Sequence, residues 1–473
     1  MSEPTIVALA SPVGTGGVAV VRVSGCRALE VSRRVFQGPG FSKAQAKPES
    51  HRAVYGILHS PPGLISNENK EVTTIDQVLA LPMLAPHSYT GEDTVEFFCH
   101  GGTVVAREVV EACIEAGAAP AGAGEFTRRA FLNGKLSLDQ AEAVADLIHA
   151  ESRLSARAAV RQVLGGLKNQ LVEIERPLLD LLSRIEGSLE FADDDEIAIP
   201  ETEILKSLRA ADRKISSLLQ IGSAGRLLRD GIHIVLAGAP NVGKSSLLNA
   251  LADEDRAIVD KQPGTTRDVV SVRLHHEENV FVFHDTAGLR QEAGPVERKG
   301  IARTQKMLLE ADLILHLEEA KSLSKRQEQP LPISLAASVE NGSGEFTTIV
   351  IRVGTKSDLV ATPDLDESVV LTSSLSGQGI SDLWRAIDEA VAGFQLKEAA
   401  AQGVVLNQRH LHKLGLCSNE LTQLSAEIQK TSPGPEVIGT LLSSITAHLG
   451  EVSGRVFSEQ LLEAVFSRFC VGK

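Results

Sequence analysis

The 473-residue sequence has no apolar run long enough to span a bilayer, and its first residues lack the basic-then-apolar pattern of an export signal. A membrane-spanning or exported chain is therefore not expected, and the cytoplasm is the expected location. Cysteine is scarce. The five cysteines, at 26, 99, 113, 417 and 470, are scattered, odd in number and without metal-ligand spacing. That pattern speaks for a reducing compartment and against a zinc site. Positive charge is in deficit: 47 Lys and Arg against 61 Asp and Glu give a net charge of −14. A nucleic-acid binder is more often basic, so any RNA contact needs a local basic patch or a basic partner. With 43% hydrophobic and 23% charged residues, the composition is that of a soluble globular protein. The length calls for about two to four domains.

The most specific motif is Gly238-Ala-Pro-Asn-Val-Gly-Lys-Ser-Ser246, directly after the apolar run Ile232–Ala237. It is G-x-x-x-x-G-K-[ST] between an expected strand and a helix starting near Ser245. Loop N–H groups wrap a β-phosphate, Lys244 neutralises β/γ oxygens, and the Ser245 hydroxyl ligates Mg²⁺. Asn241, Val242, Gly243, Lys244, Ser245 and Ser246 are thus expected to hold a nucleoside triphosphate. A second apolar run, Phe281–His284, ends in Asp285-Thr286-Ala287-Gly288, where the Asp can hold Mg²⁺ through water and the Gly can offer its N–H to the γ-phosphate. A third run, Thr347–Val353, leads to Thr355-Lys356-Ser-Asp358, whose carboxylate can accept from guanine N1 and N2. Thr355 stands where the guanine motif usually has Asn; some GTPases use Thr there. Val369–Thr372 leads to Ser373-Ser374-Leu375, suited to close over the base.

The loop Asp260-Lys261-Gln262-Pro263-Gly264-Thr265-Thr266 supplies Thr266 as the second protein hydroxyl for Mg²⁺, with a bland loop as the alternative. Leu289 stands where Ras-like enzymes carry a water-orienting Gln, so hydrolysis needs another residue, a cation or a partner. Asn241 can anchor a monovalent cation or can simply be a turn residue. Cys470 is either an incidental terminal cysteine or an accessible reactive thiol. Gly124–Lys135 gathers three cations beside apolar residues: an anion site, or a solvated turn before a capped helix.

Along the chain, strand-like runs at Thr5–Leu9, Val18–Val23, Ala53–Leu58, Asp76–Leu81 and Val95–Phe98, with a helix near Val104–Ala116, indicate an N-terminal α+β domain over 1–134. Ser137-Leu-Asp-Gln140 caps a helical stretch. Helical character continues over Arg153–Leu164 and Leu167–Leu189, interrupted by Gly165-Gly166 and Pro177, and again over Thr202–Leu219. An acidic run, Asp193–Glu196, and the polar stretch Glu319–Glu345 read as exposed loops. Helical pattern returns near Leu411–Lys430 and Val437–Phe469. The expected fold is multidomain α/β: the N-terminal domain, a helical domain over 135–225 plus 396–473, and a Ras-like nucleotide domain over 226–395, with a mixed sheet and helices on both faces, inserted in the helical one.

Taken together, Thr5-Ile-Val-Ala, Arg22-Val-Ser-Gly, Ser88-Tyr-Thr-Gly-Glu-Asp with Glu96, Gly124–Lys135, the nucleotide motifs and the terminal Cys-x-Gly-Lys resemble the MnmE (TrmE) family of tRNA-modification GTPases over nearly the whole length. The resemblance implies GTP/GDP, Mg²⁺ and K⁺ as ligands, and a 5-formyl- or 5,10-methylene-tetrahydrofolate at Arg22, Glu96, Lys135 and Lys473. It implies a K⁺ site at Asn241, Asp260, Gln262 and Thr265, where the family more often has a hydroxyl residue in place of Asp260. It implies Glu297 as the residue that orients water, Cys470 as a functional cysteine, and a homodimer whose nucleotide domains meet to hydrolyse GTP. It also implies an FAD-dependent partner, MnmG (GidA), in a heterotetramer or larger assembly that modifies carbon 5 of the wobble uridine of certain tRNAs. An Era-like ribosome-assembly switch is the alternative; it would be expected to carry an RNA-binding module, which is not visible here.

Overall fold

In a computed structural model of the chain, the described residues are 3–41, 47–61, 73–190, 199–254, 271–285, 307–309, 311–323, 348–360 and 368–473. They form two compact units, Met1–Ala145 with Gly450–Lys473, and Asp146–Leu449.

The first unit holds a seven-stranded sheet. Its strands are β1 (Ile6–Leu9), β2 (Val18–Ser24), β3 (Phe36–Gln37), β4 (Val54–His59), β5 (Thr74–Met83), β6 (Thr94–His100) and β7 (Ala119–Pro120), in spatial order β3-β4-β5-β6-β2-β1-β7. All neighbours are antiparallel except β7 on β1. The five strands expected from alternation are all present, and the expected helix is Thr103–Glu115. That helix and Ala28–Val35 bury one sheet face through Val21, Val31, Val35, Phe97 and Val109. The opposite face keeps large apolar side chains in solvent: Tyr55 and Leu79, directly opposed across β4 and β5, are 61% and 45% exposed, and Ile57 is 37% exposed.

The C-terminal tail belongs to this unit. Phe466 and Phe469, at the end of helix Glu459–Phe466, pack with Phe131 and Leu138. Val471 then bridges Ala123, and the Phe126 N–H donates to the Lys473 carbonyl at 3.1 Å. Gly472, at φ +101°, lies so close to β1 that a Cβ would stand 2.0 Å from the Leu9 oxygen. Arg129, on helix Glu125–Leu132, is 1% exposed. Its guanidinium pairs with Glu92 at 3.2 Å and Glu125 at 2.8 Å, and donates to the Pro4 carbonyl at 2.8 Å.

The second unit holds β8 (Ile232–Gly238), β9 (Ser271–His276), β10 (Asn279–Asp285), β11 (Leu313–Glu319), β12 (Ile349–Thr355) and β13 (Val369–Leu371), in order β13-β12-β11-β8-β10-β9. Only β9 runs antiparallel to its neighbour. Trp384, on helix Ile380–Ala392, packs on Phe281 and Phe283 of β10 with ring centroids 5.4 and 6.1 Å apart.

Two helices depart from the sequence expectation. Gly166–Glu190 runs unbroken through Pro177. Proline removes the N–H that would serve the Glu173 carbonyl, and the Lys214 ammonium approaches that carbonyl at 3.5 Å and the Glu173 carboxylate at 3.2 Å. Helix Glu201–Asp230 continues well beyond Leu219. Gly222 and Gly225, beyond the expected end, are points of close approach: a Cβ at Gly225 would lie 2.6 Å from Val405 Cα, and one at Gly222 would lie 2.1 Å from a Leu406 methyl. The returning segment Val404–Leu406 thus lies across the helix that enters β8. Gln162 accepts the Val405 N–H at 3.1 Å, and Ser418 donates to Asp212 at 2.7 Å.

Candidate functional site

The nucleotide motifs assemble at the carboxyl ends of the parallel strands, the edge where open α/β sheets hold ligands. The loop 239–243 follows β8, and helix Lys244–Glu254 starts at its end, giving a helix N-terminus and loop N–H groups suited to an anion. Asn241, exposed at the loop tip with φ +63°, sits in the left-handed region that Asn tolerates. Lys244 is 6% exposed, and its ammonium donates to the Gly238 and Ala239 carbonyls at 2.9 Å each. Ser245 donates to Asp285 at 2.7 Å. This hydroxyl–carboxylate pair, from the first turn of a helix and the end of β10, is an oxygen donor set suited to Mg²⁺. His284, next to Asp285, is pushed down to about 4, chiefly by burial and then by the like charge of His233.

On the base side, Thr355 is 2% exposed, and its hydroxyl donates to the Val242 carbonyl at 2.6 Å. The residue standing in the Asn position therefore ties the end of β12 to the phosphate loop. Lys356, at φ +55°, pairs with Glu319, a partner the motif did not suggest. Asp358 is exposed, and buried Ser373 donates to its carboxylate at 2.6 Å, which brings the two base-side segments together. Leu375 is 88% exposed and Ser374 lies beside it in the same turn. Asp260, Lys261, Gln262, Pro263, Gly264, Thr265, Thr266, Thr286, Ala287, Gly288, Leu289 and Glu297 lie outside the described residues, as do the acidic run Asp193–Glu196 and 324–347.

A second cluster lies in the first unit. Arg22 and Glu96 are register partners on β2 and β6, and the guanidinium Nε donates to the carboxylate at 2.7 Å. The guanidinium carbon stands 5.3 Å from the Tyr89 ring centre and 5.4 Å from that of Phe126. Arg22 Nη1 is buried without a hydrogen-bond partner among the described residues. Burial holds the Lys473 ammonium below its ordinary value; the Arg22 charge adds to this and Glu96 opposes it. Two cations, one carboxylate and two aromatic rings thus lie together around an unsatisfied donor, a set that fits an anionic ligand with a flat polar ring. Lys135 makes a different contact, its ammonium donating to the Pro86 carbonyl at 2.9 Å. The other cations of Gly124–Lys135 are committed too: Arg128 to Glu459 at 3.2 Å, and Arg129 to the buried network. Cys470 is exposed. Tyr89 and Phe126 had no separate signal as site residues in the sequence, although both fall inside motifs quoted above.

Two family models match the chain: "GTP-binding protein TrmE N-terminus" over residues 5–135 and "MnmE helical domain" over residues 138–470. The chain is 37% identical over 472 residues to the tRNA modification GTPase MnmE of Akkermansia muciniphila, covering 100% of this chain and 99% of that protein. It is 38% identical to the protein of that name from Picosynechococcus sp., with 99% of each covered. The protein of that name from Symbiobacterium thermophilum is 36% identical, with all of both chains covered. The chain belongs to the MnmE (TrmE) family.

Proposed function

We propose that this chain is a GTP hydrolase acting in the modification of tRNA. The observation that carries the reading is the convergence of Lys244, the Ser245–Asp285 pair and Asp358–Ser373 on one edge of the sheet. GTP is the substrate, and it leaves as GDP and phosphate. Lys244 and the loop N–H groups bind the phosphates; Asp358 reads the guanine edge; Thr355 couples the base-side segment to the loop. Ser245 and Thr266 are the proposed Mg²⁺ ligands, with Asp285 behind them; a bound Mg²⁺ supplies charge neutralisation at the β/γ oxygens. Asn241, Asp260, Gln262 and Thr265 are the proposed K⁺ ligands, and a bound K⁺ supplies the positive charge that an arginine finger supplies elsewhere. Glu297 orients the attacking water, the role for which Leu289 is unsuited.

The nucleotide domain, 226–395, is inserted between helical segments; the packing of Val404–Leu406 on helix Glu201–Asp230 supports this. In the N-terminal domain, Arg22, Glu96, Lys135 and Lys473 bind a formyl- or methylene-tetrahydrofolate. The unsatisfied Arg22 donor supports it. The exposed Tyr55–Leu79 face supports dimerisation through this domain. With an FAD-dependent partner, the homodimer modifies C5 of the wobble uridine in the cytoplasm. Cys470 has its role in that chemistry.

Exchanging K⁺ for Na⁺ tests the reading. Hydrolysis in Na⁺ should fall at least roughly tenfold at unchanged GTP affinity, since an arginine finger in the same role contributes on the order of 10³ or more. Equal rates in the two salts would remove the cation from the mechanism.

A further inference from the structure

Helix Glu201–Asp230 carries charged residues on several faces, and most of them are paired. Glu203 takes Arg184, Lys214 takes Glu173 at 3.2 Å, and Asp212 accepts Ser418 at 2.7 Å. Lys206, Arg209 and Arg213 differ. All three are exposed, and none forms an ion pair or hydrogen bond with another described residue. At 3.6 residues per turn they fall within about 60° of one another, in a line of about 10.5 Å along the axis. Thr202, Ser216 and Ser217 extend the same exposed face with hydroxyls, and the one carboxylate beside the row, Asp212, accepts from Ser418. A groove of about 610 Å³ follows this line, lined by Thr202, Leu205, Lys206, Arg209, Asp212 and Arg213.

An ordinary solvated helix alternates its charges, as the flanks of this helix do. Like charges three and four residues apart weaken a helix, so a row of three unpaired cations is a local cost in a chain of net charge −14. A polyanion recovers that cost. Guanidinium, ammonium and hydroxyl donors in a straight row match successive phosphates of a nucleic-acid strand, where most contacts fix position rather than read sequence. An acidic protein segment would carry fewer charges per unit length. We infer that the Lys206–Arg209–Arg213 face of helix Glu201–Asp230 is a phosphate-backbone contact surface for RNA. The inference rests on the tRNA reading above and names a surface for it.

The test uses the full chain and an unmodified tRNA transcript, with affinity measured by fluorescence anisotropy between roughly 50 and 200 mM salt. The triple variant Lys206→Gln, Arg209→Gln, Arg213→Gln should bind at least tenfold more weakly at the lower salt. It should also lose roughly two to three units of the slope of log affinity against log salt. Its basal GTP hydrolysis and melting temperature should match the wild type. A control, Arg184→Gln with Lys214→Gln, removes two cations that are already paired and should leave the slope unchanged. Wild-type binding that survives the triple variant overturns the surface but leaves the tRNA reading standing. An equal loss in triple and control variants also overturns the surface, reducing it to general charge. A wild type with no tRNA affinity overturns both.

Discussion

Lys244→Ala should raise the GTP dissociation constant roughly 10- to 100-fold and lower kcat by about 10²–10³. The first figure follows from a charge-assisted hydrogen bond of about 1.5–3 kcal/mol, the second from removing one preorganised charge at the transferring phosphoryl group. The geometry argues for both effects. The ammonium is buried under the loop and held by the Gly238 and Ala239 carbonyls, so it is aimed before substrate arrives and little reorganisation is needed on binding. Folding should survive, because a buried cation is removed rather than stranded. Lys244→Arg should not rescue, since a planar fork cannot occupy the volume of a compact ammonium within this loop. Nucleotide titration and single-turnover hydrolysis measure the two terms separately. A variant with normal affinity and turnover would remove Lys244 from the phosphate site.

Arg129→Leu should destabilise the N-terminal unit by about 3–5 kcal/mol, the cost of breaking a buried ion pair from one side. The guanidinium joins the chain near Pro4, the Glu92 segment and helix Glu125–Leu132, and its loss strips Glu92 and Glu125, and Glu3 at 3.4 Å, of the cation they share. For a unit of this size that is a drop of about 10 °C in its unfolding transition. Adding Glu92→Gln and Glu125→Gln should restore much of the loss, because the penalty lies in stranded charge. A shift below about 1 kcal/mol, or no rescue, would contradict the assignment. The same network holds the segments that carry Tyr89 and Phe126, so the unstable variant should also loosen the Arg22 cluster.

What could be read from the sequence divides along physical lines. Strands with alternating or continuous apolar runs, such as β2, β6 and β8, carry a local signal, and their ends lie within a residue or two of expectation. The two-residue strands β3 and β7 have no period to detect. Pro177 misled because it is a local breaker whose freed carbonyl is approached by a distant residue, Lys214; the helix end expected at Leu219 was missed because the contacts that carry the helix onward, such as Gly222 against Leu406, are distant in sequence. In the site, the phosphate loop and Asp285 were legible because their chemistry is contiguous in sequence. The Arg22 cluster has no such contiguous signal and was named only through the family resemblance, since Arg22, Glu96 and Lys473 meet through strand register and a tail that returns to β1. Thr355 reads as a base contact in the motif; its observed bond goes to the Val242 carbonyl.

The central claim is that nucleotide hydrolysis here serves tRNA modification. Mass-spectrometric analysis of wobble uridines in tRNA from cells lacking this protein tests it most directly. The account predicts loss of the C5 substituent at that position, restored by the wild-type chain and not by Lys244→Ala. An unchanged set of wobble uridines in the deletion strain would contradict it.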